Sequence, residues 1–425
     1  MAVTIFSRMR SNISSAVMKK MLPYFGASAV ILAAMILGKA FSFVWRILIL
    51  RYNVTFLGEI ELFSTTLGLA TTFATLAFPA ALIRFSLQRK TKAWRYVSHA
   101  ALRSLQAFIL VGGGVWLISR FIPLFTLNTQ LPLALFLGLV LLIAGQKLAL
   151  AFLNSQKKFS LYGLGEYVVG PGLKLILFVG ILLGIFQKNF LFPHVIWSMV
   201  LAAIISIGWV LGQKAKQSMR LSQLEKKEFL SYSLFLSSSF LAFMVYSALD
   251  VYVLQYFFGL ITVGIYAGML TIINLMDLLF LPFLHTFPAH LSERKTRVAK
   301  INFTNRTVGV LIKLGLISGL GIAGFGAVFI RLLTGNALNI SIWILLAFVL
   351  FKILHYGVVH VYRHYLDFQG YQAFTAQTMF VSLVLKGVLC LLLVPSTGLI
   401  GLAAANVITD IAHSWLLWRR IRTST

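Results

Sequence analysis

FPAALIRFSLQRKTK at 78–92 and FPAHLSERKTR at 287–297 decide how this chain is built: Phe-Pro-Ala and a later Arg-Lys-Thr recur 205 to 209 residues apart, close to half of its 425 residues. The same shift lays LGEIELFSTTLGL (57–69) over VGIYAGMLTIINL (263–275), with Gly58 falling on Gly264. A slightly larger shift sets FLNSQKKF (152–159) against YLDFQGYQ (365–372), and Lys174 against Lys386. Ordered matches at a nearly constant offset read as an internal duplication.

The duplicated unit belongs in lipid. The chain is 59% hydrophobic and 11% charged, with a mean hydropathy of +0.91, whereas a soluble domain carries about 25% charged residues. Apolar runs long enough to cross about 30 Å of hydrocarbon, roughly 20 residues each, lie near 25–50, 59–83, 104–119, 131–153, 161–183, 194–212, 231–257, 261–288, 307–330, 341–362, 371–394 and 399–418. The expected fold is therefore an all-α membrane protein of about twelve transmembrane helices. An even number of spans per half makes the halves parallel repeats related by an axis along the membrane normal, two six-helix bundles with a cleft between them. The expected parts are an N-terminal segment (1–24), a first bundle (25–212), a linker (213–228), a second bundle (229–418) and a tail (419–425).

Charge sets the expected orientation. Lys and Arg number 37 against 10 Asp and Glu, a formal charge of +27. In a soluble chain that would point to nucleic acid. With the N-terminus in the cytoplasm, about 26 of these cations fall on the cytoplasmic side, about 4 outside and about 7 at membrane depth, the asymmetry of a multi-pass protein with both termini inside. Nucleic acid is excluded as a partner on that reading. The N-terminus lacks the short apolar core and cleavage site of a signal peptide. Outer connections are on the order of ten residues, too short to fold a catalytic domain, and no GxxxxGK[ST] phosphate loop occurs. Neither enzyme activity nor a cofactor is expected, and a membrane-embedded glycan polymerase or ligase is disfavoured. The single cysteine, Cys390, lies in an apolar run and offers no disulfide or metal chemistry.

Candidate functional residues are the charges inside the runs. Lys39, Arg46, Lys147, Lys174, Lys313, Lys352 and Lys386 face Glu166, Asp250, Asp277 and Asp410 there, and each would cost roughly 2.5–3.5 kcal/mol or more against lipid. Lys39 and Arg46 are two helical turns apart on one face of the first helix, with Arg51 at its outer end. Lys147, Lys313 and Lys352 sit near run ends, where snorkelling to the headgroups competes with a site role. The cationic cavity expected at the interface is Lys39, Arg46, Arg51, Lys174 and Lys386, its counter-ion an anionic substrate. The acids are ion-pair or coupling residues: Asp250 and Asp277 opposite Lys39 and Arg46, Glu166 near Lys147 or Lys174, and Asp410 near Lys386. Lys352, His355 and Tyr362 share a face of the tenth helix as polar lining, without enough further ligands for a metal.

Three segments carry a family resemblance. GKAFSFVWRILILRYNVTFLGEIELF (38–63), ALDVYVLQYFFGLITVGIYAGMLTI (248–272) and LKGVLCLLLVPSTGLIGLAAANVIT (385–409) resemble the polysaccharide and O-antigen flippases of the multidrug, oligosaccharidyl-lipid and polysaccharide (MOP) exporter superfamily. Arg51, Gly58, Asp250, Gly259, Gly264, Tyr266 and Lys386 fall on its motif positions, and the likeness spans nearly the whole chain. The resemblance implies a MATE-like fold and an undecaprenyl-pyrophosphate-linked oligosaccharide carried between leaflets of the bacterial inner membrane, with membrane lipids and a glycan polymerase as partners. Drug-exporting relatives commonly place an acid on the first helix, where this chain has Lys39 and Arg46, which counts against cationic drugs as cargo. A MATE-like ion-coupled exporter of small amphipathic molecules is the alternative.

Overall fold

The structure is a computed structural model and describes residues 15–88, 92–121, 133–187, 191–213, 220–292, 294–334 and 341–423. Every apolar run expected from the sequence is helical. In the first half these are α1 (Ser15–Tyr52), α2 (Val54–Thr75, continued as Phe78–Gln88), α3 (Ala93–Phe121), α4 (Leu133–Ser155), α5 (Phe159–Gly163, Leu164–Val169 and Gly170–Leu182) and α6 (Pro193–Leu211). The second half begins with the stretch Gln223–Ile273, broken at Gly259 into α7 (223–258) and α8, which continues through Asn274–Met276 and Asp277–Ser292. It ends with α9 (Arg297–Thr334), α10 (Ile342–Leu354, His355–Val359 and His360–Phe368), α11 (Gln372–Thr397) and α12 (Leu399–Thr423).

Among the described residues, nine helical stretches are long and apolar enough to cross a membrane, ten when the two parts of α2 count as one span, and Gln223–Leu281 alone holds 59 residues. At about 20 residues per crossing that stretch supplies two spans. The chain is a multi-pass membrane protein. Large apolar side chains such as Leu110, Ile317 and Phe325 stand exposed on its flanks, as a lipid-facing surface requires.

Local chemistry fixes the breaks. Asn53 is extended, and its side chain accepts a hydrogen bond from the Phe56 N–H at 3.0 Å, which starts α2 by satisfying one of the free amides of a helix N-terminus. Gly259, 206 positions later, has a φ of 76° and separates α7 from α8, a conformation that favours glycine. The 49° bend in α2 falls at Leu76 and Ala77, both at positive φ. The Thr71, Thr72 and Thr75 hydroxyls ahead of it bond back to carbonyls four residues earlier, a contact that bends helices.

The halves meet most closely at the start of α2 and of α8. A Cβ on Gly58 would lie 2.0 Å from the Leu260 carbonyl oxygen, and one on Gly264 would lie 2.0 Å from the Val54 carbonyl oxygen. Adding 206 turns Val54 into Leu260 and Gly58 into Gly264, so the two contacts exchange. That is the pattern of a two-fold interface, in which residue i meets j and j meets i, and glycine is what lets the backbones approach so closely. Towards its other end α2 is held to α7. Ser233 donates to the Leu76 carbonyl and Phe78 stacks on Phe229 at 5.8 Å, while Lys92, just ahead of α3, pairs with Glu225 at 2.8 Å. Glu225 also closes the capping box that starts α7 at Ser222.

Candidate functional site

Two adjoining cavities occupy the seam. The larger, about 270 Å³, lies between α2 of the first half (Glu61, Ser64, Thr65, Gly68) and α7, α8, α10 and α11 of the second. The smaller, about 200 Å³, lies between α1, α5 and α8 and is lined by Lys39, Ser42, Arg46 and Glu166 among others. Asn274 lines both.

Around them the charges pair in a definite pattern. Asp277 opens the last part of α8 after the short turn Asn274–Met276. Its Oδ2 is 3.0 Å from Lys39 Nζ and its Oδ1 is 3.0 Å from Lys352 Nζ. One buried carboxylate is thus shared by an ammonium from each half, and Lys352 donates a further hydrogen bond to Asn274 Oδ1 at 2.7 Å. The expectation that Asp277 meets Lys39 holds. Asp250, by contrast, does not face α1: burial on α7 turns it into the second half.

Arg46 pairs instead with Glu61 at 2.9 Å and reaches the Ala267 carbonyl at 3.5 Å. Glu61 stands fifteen positions after Arg46 inside the run 59–83, and that acid within an apolar run is the signal that sequence reasoning passed over. Lys174 lies over the Trp45 ring at 5.1 Å, within electrostatic reach of Arg46 and Glu61, and Trp45 donates to His194 at 3.2 Å. Glu166 sits on the single π-helical stretch of α5 and interacts with Lys147 rather than Lys174. Gly38 makes room for that stretch, since a Cβ there would lie 1.9 Å from the Tyr167 carbonyl oxygen. π-helical turns of this kind recur at functional sites.

Of the expected cavity cations, Arg51 and Lys174 line neither cavity, and Lys386 is tied into a buried network. Arg51 is exposed at the end of α1 and lines neither cavity, because twelve residues of helix place it about 18 Å along the axis from Lys39. Lys386 is at the wall of the larger cavity but fully buried. Its Nζ is 2.7 Å from Asp250 Oδ1 and donates to the Tyr246 carbonyl at 2.7 Å, while the Tyr246 ring covers it at 3.9 Å. Tyr266 and Asn406 donate to the other Asp250 oxygen at 2.8 and 3.3 Å. This is an internally compensated network. Asp410 does not meet Lys386; it accepts from the Tyr246 hydroxyl at 3.0 Å and pairs with His355 at 3.0 Å, because Tyr246 stands between the two. Lys352, for which snorkelling and a site role were both open, is buried at the cavity, because α10 continues as helix to Phe368 and leaves it mid-span.

Among the described residues the two cavities are lined by Lys39, Arg46, Lys352 and Lys386 against Glu61, Glu166 and Asp250, with Asp277 bridging Lys39 and Lys352 just behind them, four cations to four carboxylates. The excess expected from the sequence is cancelled there, because Glu61 joins the acids and Lys174 lines neither cavity.

No family model matches the sequence, and no curated protein does. Solved structures do match. An inward-facing multidrug resistance MATE family transporter of the MOP superfamily superposes with a TM-score of 0.70 at 15% identity, over 93% of this chain and 98% of that one. An outward-facing one gives 0.62 at 15%, over 94% and 95%, and a MATE structure in a bent conformation gives 0.58 at 14%, over 93% and 94%. The chain has a MATE-like fold.

Proposed function

We propose that the chain is a transporter of the MOP superfamily that flips an undecaprenyl-pyrophosphate-linked oligosaccharide from the cytoplasmic to the periplasmic leaflet of a bacterial inner membrane, with both termini cytoplasmic. The observation that carries the reading is the set of cations Lys39, Arg46 and Lys352 at the cavities where the two halves meet, each held by a carboxylate side chain of the protein itself. Phosphate oxygens form strong charge-assisted bonds with ammonium and guanidinium groups, so a multiply charged headgroup competes with the carboxylates that hold these cations in its absence. In the proposed orientation the Gly58–Gly264 crossing closes the periplasmic end, so the cavities load from the cytoplasmic side. Rocking of the halves then carries the headgroup across while the polyprenyl chain stays in the bilayer.

The test uses proteoliposomes containing a fluorescent polyprenyl-pyrophosphate-linked sugar, scored by membrane-impermeant quenching of the label in the outer leaflet. Lys39→Ala with Arg46→Ala should reduce flipping to the protein-free rate; flipping at the wild-type rate removes the proposed site. A second reading, export of cationic amphiphiles, is favoured by the carboxylates of Glu61 and Glu166 at the cavities. It calls for ethidium efflux that survives the double substitution and falls with Glu61→Gln.

A further inference from the structure

Asp277 stands where an anion belongs. It offers one oxygen to Lys39 of the first half and the other to Lys352 of the second, each at 3.0 Å, the two-point contact that a phosphate group makes with a pair of cations. Lys39 lines the smaller cavity, Lys352 the larger, and Asn274, bonded to Lys352 at 2.7 Å, lines both. Asp277 itself lines neither, being held just behind the Asn274–Met276 turn. We propose that Asp277 is a resident placeholder for the anionic headgroup: a diphosphate displaces it and takes Lys39 and Lys352 as joint ligands, with Asn274 as a polar neighbour.

The inference rests on the phosphorylated-cargo reading above and adds how the site selects. Without a partner, two ammonium groups this close in a partly buried seam would be strongly unfavourable, so the empty protein supplies its own carboxylate. A singly charged anion gains little by exchanging with a carboxylate already in place. A diphosphate carries more charge and more acceptor oxygens, and does gain. Asp277 thus works as an internal competitor that raises the threshold for weak anions, a built-in element of rejection. It also couples loading to the seam, since displacement frees α1 from its ion pair with α8.

Isothermal titration of the full-length chain in nanodiscs with inorganic pyrophosphate tests this, with acetate as the singly charged comparison. Asp277→Asn should bind pyrophosphate about tenfold more tightly and should lose much of its preference for pyrophosphate over acetate. Lys352→Gln should bind pyrophosphate about tenfold more weakly at an unchanged thermal midpoint, with Lys352→Arg restoring affinity. Equal pyrophosphate affinity in wild type and Asp277→Asn overturns the displacement while leaving the cargo reading in place. Binding by neither protein overturns both. Should Asp277→Asn fail to fold, the Lys352 pair carries the test: unchanged affinity in Lys352→Gln removes the joint site.

Discussion

Replacing Gly58 by Ala should loosen the crossing that joins the halves. The added Cβ would lie 2.0 Å from the Leu260 carbonyl oxygen and 3.0 Å from the Gly264 amide nitrogen, whereas ordinary contact begins at 3.4 Å. The obstacle is backbone on the facing helix, so α2 and α8 must part by about 1.4 Å, the difference between those distances. Overpacking of this kind costs about 1–3 kcal/mol. Gly264→Ala meets the mirror obstacle, the Val54 carbonyl oxygen at 2.0 Å. Once one substitution has moved the helices the other meets less resistance, so the double variant should fall well short of the sum of the two. The assay is the thermal midpoint in a single detergent, followed by the fluorescence of the eight tryptophans. At about 2–4 °C per kcal/mol for a lobe of this size, each single variant should melt about 2–12 °C lower. Unchanged midpoints, or losses that add fully, would refute the close two-fold crossing.

Other substitutions separate structural charges from site charges. Lys386→Met leaves Asp250 buried without its cation, which should cost about 3–5 kcal/mol, and Asp250→Asn in the same chain should recover part of the thermal midpoint. Glu61→Gln releases Arg46 from its ion pair and should raise pyrophosphate affinity in nanodisc titrations, while Arg46→Gln lowers it. Ser222→Ala breaks the cap of α7 and should cost about 1 kcal/mol in the unfolding midpoint with flipping rates unchanged.

The spans were legible because twenty apolar residues in a row leave few alternatives to a membrane helix. The halves were legible because the offset tied Gly58 to Gly264, and those glycines turn out to touch each other's helices. Charge pairing was less legible. Lys39 with Asp277 could be anticipated from the facing of first and seventh-eighth spans, but Asp250 shares that segment and points the other way, into Lys386. Nothing in spacing tells which face of a helix its neighbours will cover. Lys352 stayed open for a different reason: the polar string from His355 to His364 looks like the end of a span, yet the helix runs on to Phe368 through a π-helical stretch.

The duplication is geometric and not electrostatic, and that difference bears on the cargo. Backbone contacts obey the 206-residue shift, as Val54, Gly58, Leu260 and Gly264 show. Apart from Lys174 and Lys386, the charges do not: the shift carries Arg46 onto Tyr252, Glu61 onto Ala267 and Asp277 onto Thr71. Where the first half presents a guanidinium, the second presents a phenol whose hydroxyl is occupied by Thr66 at 2.8 Å. Two lobes that kept the same charges would make like walls and suit a ligand with like ends. Here the smaller cavity is walled by Lys39 and Arg46 with Glu166, and the larger by Phe243, Tyr246, Phe351 and Tyr356 beside Glu61, Asp250, Lys352 and Lys386. Unlike walls suit a molecule with unlike ends, a charged diphosphate toward α1 and a neutral glycan against the aromatic rings. On the proposed function, the asymmetry therefore fixes which way round the headgroup enters. Removing the rings at Phe243 and Phe351 should weaken binding of the lipid-linked sugar while leaving inorganic pyrophosphate affinity as it is, and an equal loss for both ligands would contradict that division of the site.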